Sequence, residues 1–118
     1  MALAINRAGR GRYTVDSWRN LEARNAQSQL EQQFISTQRV TVVRCVYRVG
    51  SDIPLHSHPQ EQITIVEEGQ LRFLLESDAV EVRSGEMISI APGVSHATLP
   101  GPGGAARALN LFLSAAAR

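Results

Sequence analysis

GSDIPLHSHPQEQITIVEEG, from Gly50 to Gly69, carries two of the chain's three histidines with a single serine between them. In a β-strand, residues two apart face the same side. His56 and His58 are therefore expected to project together, with Ser57 pointing away. Two imidazoles side by side make poor core packing and a good start for a metal site. Zinc, iron, manganese, nickel and copper all accept imidazole nitrogen. An isolated His-x-His pair more often flanks a surface turn, but three features weigh against that here. Pro54 and Pro59 bracket the pair and stiffen the loop. Gln62 opens the next strand-like run and can offer a carbonyl oxygen. The third histidine, His96, follows the turn "APG" between two later strands. Histidines placed only at strand–turn junctions predict one shared site.

Outward from this stretch, the pattern is that of short strands. "VTVVRCVYRV", residues 40–49, is rich in β-branched residues, with Arg44 and Arg48 on one parity. Thr41, Val43, Cys45, Tyr47 and Val49 are then expected to face inward. "QITIVEE", "QLRFLLE", "VEVR", "MISI" and "RALNLFL" follow, with turn residues between them, including "SDA" and "LPGPGGAA". That spacing predicts an antiparallel sandwich or barrel. "SWRNLEARNAQSQLEQQ", residues 17–33, is ambiguous. Its loose apolar spacing allows a short helix after an N-cap at Asp16 or Ser17, and its Gln-rich end equally allows an extended edge strand. No helix is expected beyond residue 34.

The 118 residues suit one domain, here expected over residues 13–118 behind a flexible leader at residues 1–12. Arg7, Arg10 and Arg12 in that leader read as a solvated tail rather than a phosphate-binding arm. Twelve basic and eleven acidic side chains nearly cancel, which gives no electrostatic case for nucleic acid. No apolar stretch has membrane-spanning length, and "MALAI" is too short for the core of a secretory signal, so a cytoplasmic protein is expected. Cys45 is the only cysteine, which excludes an intrachain disulfide and predicts a buried structural thiol.

Two stretches together carry a family resemblance. Residues 50–69 resemble the first motif of the cupin family: a Gly, five residues, His-x-His, a Glu position and a closing Gly. "GEMISIAPGVSH", residues 85–96, resembles the second, which ends in the third histidine. The likeness covers about residues 40–113. It implies an all-β double-stranded β-helix, or jelly-roll barrel, with a short polar N-terminal segment. It also implies one divalent transition metal (Zn, Mn, Ni or Fe) on His56, His58, Gln62 and His96. Gln62 stands where the family has Glu. Glu61 is its neighbour, but strand alternation lets only one of the two face the metal, and the spacing to Gly69 selects Gln62. The second-motif proline is shifted to Pro92, and Pro100 stands where an Asn is expected.

The "HSHP..EQ" pattern is similar to that of small cupins that ketonise unsaturated uronates from pectin and alginate. Those proteins carry Asp-x-Phe on the last core strand, and the matching residues here are Asn110 and Phe112. Asn110 cannot ionise and so cannot relay a proton as a carboxylate does. Arg118 is out of register with the family arginine. Tyr47 is a candidate pocket hydroxyl or core residue, and Phe73 a candidate pocket wall or core residue. Arg44 and Arg48 read as solvated or interface arginines. The leading expectation is an isomerase- or lyase-type metalloenzyme acting on a small oxygenated anion. A metal-dependent dioxygenase, a non-catalytic ligand-binding cupin and a metal-free barrel are the alternatives. The expected partners are a small molecule and a second copy of the chain, with outward-facing Ile63 and Ile65 suited to a homodimer interface.

Overall fold

A computed structural model describes residues 13–114, in which ten strands form two antiparallel sheets. The leader at residues 1–12, with Arg7, Arg10 and Arg12, and the terminal Arg118 lie outside the described residues. The strands are β1 (Arg24–Gln27), β2 (Leu30–Ser36), β3 (Val40–Tyr47), β4 (Ile53–His56) and β5 (Glu61–Glu68). They continue as β6 (Gln70–Leu75), β7 (Asp78–Arg83), β8 (Met87–Ile90), β9 (His96–Pro100) and β10 (Ala106–Leu113). One sheet has the order β1-β2-β3-β10-β5-β8, the other β4-β9-β6-β7. After β3 the chain passes back and forth between the two sheets, except at the β6–β7 hairpin, which stays within the second, as in a jelly roll. The fold is all-β, and no helix among the described residues is long and apolar enough to cross a membrane.

Period-two alternation places the core. Val43, Cys45 and Tyr47 of β3, Val66 of β5, and Ala106 and Ala108 of β10 are buried from the first sheet. Leu71 and Phe73 of β6 and Val82 of β7 meet them from the second. Burial of these apolar side chains is the main favourable term holding the sheets together. Val49 departs from the expected inward parity and is 72% exposed. β3 ends at Tyr47, and the chain turns through Gly50, whose φ of 92° is a backbone state open to glycine. The turn expected at "SDA" is made by Glu76 and Ser77, with Glu76 at φ 48°, and Asp78 already opens β7.

The ambiguous stretch resolves mostly as strand. Ser17 does cap a turn, its Oγ accepting the Arg19 N–H at 3.1 Å, but the 3-10 turn spans only Trp18–Asn20. The β1–β2 hairpin then begins. Strand wins because Leu30, Gln32 and Phe34 take the inward parity opposite Tyr47, Cys45 and Val43. Gln33, on the other face, is buried under the turn. Its amide donates to the carbonyls of Trp18 and Leu21 at 2.6 and 3.0 Å and accepts from Arg44 at 3.1 Å. Arg44, expected to be solvated, also lies 5.8 Å from the Trp18 ring. Arg48 pairs with Glu31 at 3.5 Å on the surface.

Candidate metal centre

The three histidines meet where the two sheets converge. β4 and β9 pair with His56 opposite His96, which brings residues 40 apart in sequence side by side. β4 ends at His56, so His58 reaches the site from the loop beyond the strand rather than from a shared strand face. Ring centroids are separated by 5.4 Å (His56–His58), 4.4 Å (His56–His96) and 5.1 Å (His58–His96). Their ligand nitrogens all lie within 4.8 Å of one another. His56 is exposed, His58 half-buried and His96 only 1% exposed, so the cluster runs from the mouth into the barrel.

Each ring is held by the same device. Nδ1 of His56 meets the Pro54 carbonyl at 2.8 Å, that of His58 the Gln60 carbonyl at 3.0 Å, and that of His96 the Val94 carbonyl at 2.9 Å. A carbonyl only accepts, so each Nδ1 carries the proton. In the neutral ring the lone pair is then on Nε2. Burial lowers the pKa of His96, with charge on His56 and His58 adding to that effect and the Val94 carbonyl opposing it. The ring therefore keeps the neutral, metal-binding form further into acid.

Gln62, the second residue of β5, is 4% exposed. Its Oε1 lies 3.0 Å from Nε2 of His58 and 3.1 Å from Nε2 of His96. With the rings neutral these are acceptors facing an acceptor, and with the amide held in this orientation a proton or a cation between them relieves the conflict. Protonating two adjacent imidazoles would bring like charges together in a buried site. A divalent transition ion satisfies all the lone pairs at once, and the donor set of three imidazoles and one amide oxygen fits such an ion. Glu61 points to the exposed face, as alternation requires.

Behind Gln62 lies a polar ladder that sequence reading passed over. The Gln62 amide donates to Thr64 Oγ1 at 2.9 Å and to Asn110 Oδ1 at 3.4 Å. The Thr64 hydroxyl donates to the same Asn110 oxygen at 2.5 Å, and Asn110 Nδ2 donates to Cys45 Sγ at 3.2 Å. Gln32 also reaches that sulfur at 3.5 Å. The available signal was parity: Gln62 and Thr64 are two apart on one strand, so a polar Thr64 had to be inward too. Burial pushes the Cys45 thiol above its ordinary range and the Tyr47 hydroxyl well above its own, the latter also raised by Cys45.

A cavity of about 40 Å³ adjoins the cluster, lined among others by Tyr47, His56, Gln62, His96, Asn110 and Phe112. It has room for about one water-sized group, so a larger ligand must sit at the mouth. The Phe112 ring stands edge-on to His58 with centroids 5.4 Å apart. Phe73, a candidate pocket wall, does not line this cavity. It faces the interior of β6, fully buried in the core.

The family model described as "Cupin domain" matches residues 43–112, more than half of the chain. The chain belongs to the cupin family. Solved structures agree on the fold. An RmlC-like cupin from Shewanella frigidimarina superposes with a TM-score of 0.77 at 17% identity, over 85% of this cupin and 89% of the other chain. The polyketide cyclase RemF from Streptomyces resistomycificus gives 0.76 at 20% identity, over 87% and 80%. KdgF from Halomonas sp. gives 0.72 at 15% identity, over 80% and 89%. Comparison with curated proteins returned no significant match.

Proposed function

We propose that this cupin is a metal-dependent enzyme of non-redox isomerase or lyase type, acting on a small oxygenated anion such as a sugar acid or dicarbonyl acid. The observation that carries this reading is the neutrality of the donors. Three imidazoles and one carboxamide converge, and among the described residues no carboxylate lines the adjoining cavity. A divalent ion held by His56, His58, Gln62 and His96 would keep its double charge and supply Lewis-acid polarisation of a carbonyl or enol oxygen. The Nδ1–carbonyl bonds hold the rings in place before any ligand arrives, so little ordering is left for the moment of binding. The Phe112 ring packs edge-on beside His58. Tyr47, kept protonated by burial and tied to Cys45 and Asn110, is no base at neutral pH. Asn110 cannot take a proton either, so the proton leaving the substrate would be accepted by a water at the open mouth, beside exposed His56, and passed on to solvent.

The resemblance to uronate-ketonising cupins supports this substrate class, and a polyketide cyclase shares the fold. A homodimer belongs to the same proposal. On the outer face of the six-stranded sheet Ile63 lies opposite Leu111 and Ile65 opposite Leu109, extending an apolar row toward Val42 and Ile35. Sedimentation velocity should give twice the chain mass, and a strictly monomeric species would reject this part.

The test of function is proton NMR in deuterated water, with metal-loaded protein and a panel of 2-oxo, dicarbonyl and unsaturated uronic acids. Deuterium entering carbon next to a carbonyl, without oxygen consumption, is the expected result. Oxygen consumption by iron-loaded protein would replace the proposal with a dioxygenase. Asn110 at the family's acid position favours one further reading, a binding protein, which tight binding with unchanged ligand and no exchange would establish.

A further inference from the structure

The geometry points to Thr64 and Asn110 as the positioning residues that decide which end of the Gln62 carboxamide faces the three histidines. This inference rests on reading the cluster as a metal centre and adds what makes Gln62 an oxygen donor there. A carboxamide is nearly symmetric in shape, and its two ends differ only in hydrogen bonding. Left to itself beside two imidazole lone pairs, Gln62 would turn its NH2 group toward them, because donors and acceptors would then match. That orientation closes the site to a cation.

The ladder opposes the turn. With the oxygen outward, the NH2 group has two acceptors behind it, Thr64 Oγ1 at 2.9 Å and Asn110 Oδ1 at 3.4 Å. With the amide reversed, Gln62 Oε1 would face Asn110 Oδ1, acceptor against acceptor, in a buried site. Relieving this by reversing Asn110 as well would break its Nδ2–Cys45 Sγ contact at 3.2 Å and its acceptance of the Thr64 hydroxyl at 2.5 Å, so the thiol and the hydroxyl would have to reorient with it. All four side chains are buried, so a lost partner is costly. Register makes the arrangement rigid: Thr64 and Asn110 are direct cross-strand partners in β5 and β10. Asn110 at a position where related cupins carry an acid is thereby accounted for by its role behind the ligand rather than by proton transfer.

Two isosteric pairs test the inference, with zinc affinity measured by chelator competition and melting of the metal-free protein measured in parallel. Thr64→Ser keeps the hydroxyl and should bind zinc as the wild type does, whereas Thr64→Val should bind about 10- to 100-fold more weakly. Asn110→Asp keeps both acceptor contacts and should retain affinity, and Asn110→Leu should lose it by a similar factor. A packing role alone would rank them the other way, since a buried Asp disturbs an apolar interior more than Leu does. Side-chain NMR of metal-free protein gives a reading independent of zinc. In the wild type the Gln62 NH2 protons should show cross-relaxation to Thr64. In a Thr64→Val, Asn110→Leu double variant they should show it to the His58 and His96 rings. Wild-type affinity in both Thr64→Val and Asn110→Leu, or NH2 protons facing the rings in the wild type, would overturn the inference. Failure of the wild type to bind zinc while the NMR contacts hold would count against the metal centre and not against the lock.

Discussion

Replacing Gln62 by Glu changes one heavy atom and reverses the electrostatics of the site. The carboxylate adds a charged donor for zinc, while its second oxygen replaces the NH2 group that donates to Thr64 and Asn110. An anionic ligand should bind more weakly, because part of the ion's charge is then cancelled. A tenfold loss, about 1.4 kcal/mol, is the expected size for a 2-oxo acid measured by calorimetry on metal-loaded protein. Undiminished anion binding in Gln62→Glu would remove the neutrality argument from the proposed function. The two ends of the Gln62 amide divide the work at this scale. Oε1 faces His58 and His96, and Nε2 is spent on Thr64 and Asn110.

At the scale of the element, the closing glycine of the first motif shows how local geometry serves the barrel. Gly69 joins β5 in one sheet to β6 in the other at a φ of 78°. A Cβ there would press on the Ala105 carbonyl and lie 2.9 Å from Ala106 Cα, both backbone neighbours at the start of β10. Gly69→Ala combines positive-φ strain with this clash and should cost about 2 kcal/mol or more. Thermal melting should show a drop of roughly 10 °C, and an unchanged midpoint would contradict the close approach. Strands β3, β5 and β10 were legible as runs rich in apolar and β-branched residues bounded by turn residues. The β1–β2 hairpin was not, since its stretch has few apolar residues and Gln33 is buried by hydrogen bonds that no hydropathy pattern encodes. The three histidines were legible from their placement at turns. The strand-face argument for His58 was not sufficient, because a loop rather than β4 delivers it. Thr64 escaped notice because threonine is common in strands, and its cross-strand partner is 46 residues away.

For the whole molecule, the buried ladder ties stability to alkaline pH. Burial raises the Cys45 pKa above its ordinary 9.0 and raises Tyr47 well above its ordinary 10.0. A group whose folded pKa is raised contributes stability that is full below its unfolded pKa and is lost as pH rises toward the folded value. These two groups therefore leave stability level through neutral pH and lower it above pH 9.0, first through the thiol and then through the phenol. Each group contributes a slope of about 1.4 kcal/mol per pH unit in its window. Cys45→Ser keeps a small polar side chain that does not ionise, so its urea-unfolding free energy should decline less between about pH 9 and 10. Equal alkaline slopes in the two proteins would show that the thiol is not protected by folding. The same burial that shields Cys45 holds Asn110, and through it Gln62, at the floor of the histidine cluster.

The central claim is that His56, His58, Gln62 and His96 hold a transition metal. Elemental mass spectrometry of purified, untagged protein tests it most directly, with a His56→Ala, His58→Ala double variant as control. About one metal per chain in the wild type and essentially none in the variant is the predicted result. A wild type that carries no metal, and takes up none on reconstitution with zinc, manganese, nickel or iron, would contradict the account.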